Sequence, residues 1–322
     1  MKSVFLGIEI GGTKLQLVVG DQRAKIIHRR RLAVDRRRGA AGIRQQIESA
    51  LPELLTVRKP LSIGVGFGGP VDWRTGAICR SHQIEGWSGF GLGAWLRSVS
   101  GLPVRVDNDA NTAALGEAIH GVGAGFNPVF YVTLGSGVGG GLVVDGSIYH
   151  GAKPGEAEIG HLRLDRRGTI LESRCSGWAV DARIRRACAR DAKRLLSQLT
   201  AGAPGGEARF LAAAFRAGDP IARKILDDVA TDLAFGLSHA VQLFHPSMIV
   251  LGGGLSLVGQ PLRAAVARAL RPFVMEAFAP GPRVALSSLR EDAVPVGALE
   301  NARALVESRP KRATENFVKN EP

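Results

Sequence analysis

Gly7-Ile8-Glu9-Ile10-Gly11-Gly12-Thr13-Lys14 is the stretch on which the fold turns. It comes close to the phosphate loop G-x-x-x-x-G-K-[ST], yet Gly12 is followed by Thr13 and then Lys14, the reverse of the order that loop needs. A helix must also follow such a loop, whereas Leu15–Val19 reads as a strand. With Ser3–Ile10 before it and Lys25–Leu32 after it, the segment is the first turn of a β-meander.

The same figure returns further along. Pro128–Leu134 reads as a strand, Gly135-Ser136-Gly137-Val138-Gly139-Gly140 as a turn, and Leu142–Val144 as a strand again. Gly135, Gly137 and Gly140 fit G-x-G-x-x-G, but a strand continues where a dinucleotide fold needs a helix. A third apolar strand, Met248–Leu251, runs into Gly252-Gly253-Gly254. Any one of these turns could be a plain hairpin. Three of them after apolar strands point to phosphate, because glycine lets backbone N–H groups approach its oxygens with no Cβ in the way. Thr13, Thr133 and Ser136 add hydroxyl donors and Lys14 adds charge.

Between the turns, helices alternate with strands. Ala40–Val57 carries Ile43, Ile47, Leu51 and Leu54 on one helical face, with Pro52 placed to kink or shorten it. Leu61–Gly66 and Val104–Val106 read as strands; Leu92–Ser100 and Asn111–His120 read as helices. Ser176–Leu199, Glu207–Ala217 and Pro220–Phe244 are helical, and a final helix, Val296–Val306, is entered from Pro295. The class is α/β. The pattern duplicates weakly, with a boundary expected near Gly116–Asn127. Residues 1–118 would form one domain, 119–295 a second, and helix 296–306 would return to the first. The charged tail 307–322 is expected to be disordered.

Composition narrows the function. The chain has 322 residues, 42 of them glycine, and a net charge of +13. Arg29–Arg31 and Arg36–Arg38 hold much of that charge, as a solvated face, an attractor of anionic substrate or an incidental nucleic-acid contact. No nucleic-acid-binding motif supports the last reading. The three cysteines stand far apart, with no CxxC pair, so reduced thiols are expected. Without a signal peptide or an apolar run of membrane length, a cytoplasmic protein is expected.

Two polar groupings carry candidate chemistry. Asp107-Asn108-Asp109-Ala110-Asn111 sits at a strand end before a helix. One such residue suffices to cap a helix, and four are in excess. An aspartate there can accept a hydroxyl proton as phosphoryl transfer begins. In the second half, Glu156, Glu158, His161 and Glu172 cluster. Carboxylates and imidazole bond sugar hydroxyls directionally, although His161 alone could equally be a structural histidine.

These residues carry a resemblance. GIEIGGTK (7–14), GGPVD (68–72), VDNDANTAALGE (106–117), VTLGSGVGGG (132–141), AEIGH (157–161) and IVLGGGLS (249–256) together resemble the ROK family of sugar kinases and sugar-linked repressors, from Phe5 to about Ala304. The resemblance implies the actin-like ATPase (ribonuclease H-like) fold, two α/β domains around a central cleft. It implies ATP and Mg²⁺, a hexose acceptor and a homodimer or homotetramer, with no specific nucleic acid or membrane partner. Gly11, Gly12, Thr13, Lys14, Thr133, Gly135, Ser136, Gly137 and Gly139 would contact the ATP phosphates, and Gly253 would lie beside the adenosine. Asp109 would be the catalytic base. Asn108, Glu158, His161, Glu172 and Gly69 would form the sugar side.

The chain departs from the family pattern in three places. Glu9 stands where an aspartate usually helps to hold hydrated Mg²⁺. No cysteine separates His161 from Cys175 where the family has a zinc-binding run, so no structural zinc is expected, and Leu162, Leu164, Ile170 and Leu171 are expected to hold that loop by packing. Gln83 replaces an asparagine near the sugar. The expected activity is phosphorylation of a hexose, glucose at its 6-hydroxyl, with mannose, fructose, N-acetylglucosamine or N-acetylmannosamine as alternative acceptors. Polyphosphate stays open as a donor. A repressor would need an N-terminal helix-turn-helix, for which a first strand at Val4 leaves no room. A decayed, sugar-binding relative is the remaining alternative.

Overall fold

The computed structural model describes residues 3–81, 84–155, 157–189, 195–203 and 205–307. Gln83, Glu156 and the tail 308–322 therefore lie outside the described residues. Strand β1 (Val4–Ile10) is buried at every position except the half-buried Glu9, which makes it the centre of a sheet. On one side it pairs antiparallel with β2 (Lys14–Asp21), which pairs antiparallel with β3 (Ile26–Ala33). On the other side it runs parallel to β4 (Ile63–Phe67), which runs parallel to β5 (Val104–Asn108).

The second half repeats this plan. β6 (Val129–Leu134) lies between the antiparallel pair β7 (Val138–Val144) and β8 (Ser147–Ile148) and the parallel pair β9 (Met248–Gly252) and β10 (Arg283–Leu286). The strand orders are 3-2-1-4-5 and 8-7-6-9-10, so the weak duplication of pattern is a duplication of topology. The parallel strands of each sheet end on one edge, and the glycine turns and the Asp107–Asn111 segment emerge there. Open α/β sheets bind ligands beyond those carboxyl ends.

Helices differ from expectation where local chemistry was misjudged. α1 (Gly39–Arg58) continues through Pro52. Pro52 and Glu48 are both exposed, so the carbonyl that loses its N–H partner meets water. α2 (Leu92–Ser100) falls as expected. α3 (Asp109–His120) begins two residues earlier, because Asn108 caps it. β7 likewise begins at Val138, inside the glycine run: a Cβ on Gly141 would lie 2.7 Å from that of Ala114, so these glycines let α3 lie on the strand. Within Ser176–Leu199, α4 (Gly177–Cys188) ends with its cap at Ala189, and a separate short helix spans Leu195–Thr200. Glu207–Phe210 is a 3-10 turn leading into Leu211–Arg216. α5 (Pro220–Phe244) is capped by Asp219, whose Oδ1 accepts from the N–H groups of Ile221 and Ala222. α6 (Gln260–Leu270) follows.

The last helix, α7 (Ala293–Glu307), starts before Pro295 rather than after it. A proline in the first turn removes an N–H that has no helical partner. α7 lies on the first sheet: Ser62 Oγ donates to the Ala302 carbonyl (2.6 Å), and a Cβ on Gly64 would overlap the Ala298 oxygen. The chain passes between the halves after α3 and again before α7, and one carboxylate holds both passages. The fully buried Glu117 accepts from Val122 N–H (3.0 Å), Leu289 N–H (2.8 Å) and the hydroxyls of Ser287 (2.5 Å) and Ser288 (3.2 Å).

Apolar cores lie behind the sheets. Ile8, Leu17, Ile43, Ile47 and Leu54 pack beneath the first; Val132, Leu171, Val180, Ile184 and Leu233 pack beneath the second. The Arg29–Arg31 run sits on edge strand β3 and is ion-paired, with Asp292 (2.6 Å), Glu53 and Glu291 (3.4 Å) respectively. Among the described residues no helix is long and apolar enough to cross a membrane.

Candidate active site

The glycine turns are built for backbone approach. In the first, Gly11 N–H donates to the Lys14 carbonyl (3.0 Å), and Arg36 Nε donates to the Gly12 carbonyl (2.8 Å). In the second, Gly135 N–H donates to the Gly137 carbonyl (3.0 Å), while its own carbonyl accepts from Gly177 N–H (2.8 Å) at the start of α4. Thr133 and Gly139 face each other across the β6–β7 pair, and Ser136 at the tip is exposed. The third turn lies directly against the second. Gly253 has φ +77°, and a Cβ on it would stand 2.5 Å from the Leu134 carbonyl carbon, so only glycine fits.

Asp109 stands between these turns at the first position of α3. Asn108 is the cap: its Oδ1 accepts from Ala110 N–H (2.8 Å) and Asn111 N–H (3.1 Å), and its amide donates to the Gly69 carbonyl (3.2 Å). Capping, the rival reading of the acidic segment, therefore falls to Asn108. Asp109 shares Ala110 N–H through its Oδ1. Gly68 is held against the first turn by its N–H on the Ile10 carbonyl (2.9 Å), and a Cβ there would be 3.4 Å from Asp109 Oδ2.

The electrostatics single out this aspartate. Burial, followed by the negative charge of Glu9 and then of Glu158, pushes the Asp109 carboxyl up to about 7, against the pull of the backbone N–H groups. Part of Asp109 still faces open space, but the protein packed around it strips its carboxylate of water. Glu9 comes from the first half and Glu158 from the second, so the two halves present carboxylates to one point. Glu9 is itself raised by burial, which Lys14 Nζ (3.2 Å) and Gln16 Nε2 (2.6 Å) partly offset.

The sugar-side candidates separate into two groups. Glu158 and His161 bracket a 3-10 turn, Ile159–His161, and both are exposed along a groove of about 600 Å³. Glu172 points elsewhere: its Oε2 accepts from Val138 N–H (2.8 Å) and would lie 2.5 Å from a Cβ on Gly137. In this structure it braces the second glycine turn.

The loop after His161 is shaped by its own turn chemistry. Asp165 Oδ1 accepts from Arg167 N–H (2.7 Å) and Thr169 N–H (3.1 Å), closing a hairpin in which Leu164 and Leu171 N–H bond the Thr169 and Leu162 carbonyls. Leu171 is fully buried; Leu162, Leu164 and Ile170 are half-buried. Cys175 is buried in the core, its thiol pushed up to about 12 by burial.

Three neighbours of the site, Gln16, His150 and Trp73, are absent from the motifs that the sequence singles out. Gln16 is fully buried beneath Glu9, and its Oε1 accepts from Arg29 (3.1 Å) and Arg31 (2.9 Å). His150 lies 2.7 Å from Asp107, and its ring stacks on Trp73. A period-two reading of β2 could have paired Gln16 with Glu9; nothing local could have paired His150 with Asp107.

Two sheets of one topology, with glycine turns at their strand ends and a buried aspartate between them, define an actin-like ATPase fold. The chain matches the ROK family model over residues 5–304 and belongs to that family. It is 31% identical over 308 residues to a glucokinase of Halalkalibacterium halodurans, an alignment covering 91% of this chain and 93% of that protein. It resembles the crystal structure of a ROK family glucokinase from Streptomyces griseus in complex with glucose and AMPPNP. The TM-score is 0.82 at 29% identity, over 94% of this chain and 100% of that one. For a ROK hexokinase from Thermus thermophilus the TM-score is 0.78 at 28% identity, over 95% of this chain and 99% of that one.

Proposed function

We propose that this protein is an ATP-dependent hexose kinase of the glucokinase type, passing the γ-phosphoryl group of ATP to the 6-hydroxyl of glucose with Asp109 as general base. The observation that carries the reading is the Asp109 carboxyl, raised to about 7 between the glycine turns of two sheets. A base of that proton affinity can take up a hydroxyl proton near neutral pH.

The residues fit a phosphate chain. Gly11, Gly12, Gly135, Gly137 and Gly139 offer backbone free of side chains, Thr13, Thr133 and Ser136 offer hydroxyls, and Lys14 offers a cation. Gly253 keeps the third turn low enough for an adenosine to lie beside it. Glu9 would supply a hard oxygen donor toward a bound Mg²⁺. When bound, Mg²⁺ offsets charge on the transferring phosphoryl group. Glu158 and His161 hold sugar hydroxyls, Asn108 and Gly69 fix the turn beside Asp109, and Glu172 sets the second glycine turn. Asp109 orients the 6-hydroxyl and takes its proton as the new bond forms.

Residues 1–118 with helix 296–306, and 119–295, are the two domains of this enzyme, and the cleft lies between them. The sugar loop is held without zinc, a reading supported by the Asp165 turn and the buried Cys175. Arg36, whose Nε bonds the Gly12 carbonyl, adds a second basic group to Lys14 beside the first turn, while Arg29–Arg31 are ion-paired. A cytoplasmic homodimer or homotetramer completes the reading.

A coupled assay with ATP or polyphosphate against glucose, mannose, fructose, N-acetylglucosamine and N-acetylmannosamine tests it. Fastest turnover is expected with ATP and glucose. Binding of a sugar without phosphate transfer to any of them would leave a sensor or decayed kinase instead.

A further inference from the structure

Asp107 and His150 belong to different halves of the molecule, and their contact lies at the root of both the base and the sugar loop. Asp107 is the penultimate residue of β5 and is fully buried. Its Oδ1 accepts from Asn108 N–H (2.9 Å) and from Asn111 Nδ2 (3.1 Å), the residues that flank Asp109 in the cap and first turn of α3. Its Oδ2 lies 2.7 Å from Nε2 of His150, which follows β8. Asn111 Nδ2 also donates to the Gly155 carbonyl (2.7 Å), so the same loop is held twice.

The loop is braced from its other face as well. The His150 ring stacks on Trp73, with centroids 4.3 Å apart and planes 17° from parallel. A Cβ on Gly155 would come within 2.9 Å of Trp73 Cδ1. Lys153 Nζ lies 2.6 Å from Asp72 Oδ2. Six residues past Gly151–Ala152 the chain reaches Glu158, and three more bring it to His161.

A buried carboxylate needs donors, and most such groups take them from their own neighbourhood. Here the closest donor comes from the opposite half, at the start of the loop that carries the sugar ligands. The contact to Asp107 on one atom and the stack on Trp73 together fix the orientation of the ring.

We infer that His150 is a positioning residue: acting through Asp107, it sets the sugar loop of one half at a fixed distance from Asp109 of the other. This rests on the hexose kinase reading above. An ångström of misplacement between acceptor and base costs about a hundredfold in rate. Loss of the contact should therefore be felt on the sugar side and in turnover, and not on the nucleotide side.

The test compares His150→Phe, His150→Gln and wild type by steady-state kinetics, by calorimetric titration with glucose without nucleotide, and by thermal melting. His150→Phe should raise the glucose Kd and KM about tenfold and lower kcat about tenfold, leaving the ATP KM within about twofold. His150→Gln, whose amide can still donate to Asp107, should recover most of the loss and decides the matter if His150→Phe does not fold. Unchanged glucose affinity in folded His150→Phe, an equal shift in the ATP KM, or no rescue by His150→Gln would overturn the proposal. If wild type binds glucose but phosphorylates no hexose, the kinase reading fails alone. A weakened glucose Kd in His150→Phe would then still support the Asp107–His150 pair.

Discussion

Gly297 in α7 and Thr112 in α3 meet backbone to backbone, so closely that a Cβ on Gly297 would overlap the Thr112 carbonyl oxygen. Gly116 completes the crossing: a Cβ there would stand 2.5 Å from the Ala293 oxygen and 2.9 Å from Gly297 N. Close approach, not an unusual backbone angle, requires glycine at both positions. Gly297→Ala should destabilise the protein by about 3 kcal/mol. Gly254→Ala, where nothing lies within 4 Å, should melt like wild type. Thermal or urea unfolding of the two variants checks this.

Asp109→Asn should lower kcat by about 10²–10⁴-fold while glucose binding, measured by calorimetry, persists. A base must be deprotonated to act. With the carboxyl near 7, kcat/KM of wild type should fall as pH drops through neutrality. The same shift has a cost in stability. The folded state holds the proton that the unfolded chain releases near 3.8, so stability declines as pH rises from about 4 to 7. Asp109→Asn should therefore melt higher than wild type at pH 8, by ~1–3 °C.

Glu9 reaches one methylene further than the family's aspartate, and two donors hold it in place, Lys14 on Oε1 and Gln16 on Oε2. Glu9→Asp would withdraw the carboxylate from both. We expect the Mg²⁺ concentration for half-maximal turnover to rise about tenfold in Glu9→Asp and in Gln16→Leu. Magnesium titration at saturating ATP and glucose is the measurement.

Glu300 ties the same helix crossing to the end of α3. Its burial alone would raise its carboxyl, but hydrogen bonds from His120 (2.9 Å) and from Arg303 outweigh that and hold it at about 2. The resulting stabilisation is complete above the ordinary value of 4.5 and is lost as pH falls toward 2. Glu300→Gln should lose about 3 kcal/mol at pH 7 and converge with wild type near pH 2, as followed by pH-dependent unfolding.

The sugar loop should depend on Asp165 and not on a metal. Exhaustive dialysis against a chelator should leave both melting temperature and glucose affinity unchanged. Asp165→Ala should lower the melting temperature slightly and weaken glucose binding. Elemental analysis showing one zinc per chain would contradict this.

Features carried by neighbours in the chain were legible in the sequence. The Thr13-Lys14 inversion together with the strand after it excluded a phosphate loop and placed a turn between paired strands. The Asp107–Asn111 run announced a capped helix with a carboxylate to spare, and its register fell only two residues off. Pro52 misled because its effect depends on whether the orphaned carbonyl meets water, a tertiary fact. His150 and Trp73 were invisible because their partners lie in the other half, whereas Gln16 needed only the register of the β1–β2 pair. Glu172 was grouped with the sugar side by its place in the chain and by the resemblance; its bond from Val138 N–H to Oε2 is a contact across the fold that no local pattern announces.

The position of α7 has a consequence for the chain as it is made. Synthesis proceeds from the N-terminus, so β1, β2, β3, β4 and β5 leave the ribosome long before the helix that covers Gly7 and Gly64 exists. Until that helix emerges, α3 covers only part of this face, through Thr112 against Gly66, and the stretch around Gly7 and Gly64 stays open. The second half can assemble while the first still waits, and sticky, unfinished sheet is what chaperones retain. A ribosome stalled just before Ala293 would hold both sheets in one chain, with the first-made strands still short of the helix that closes them.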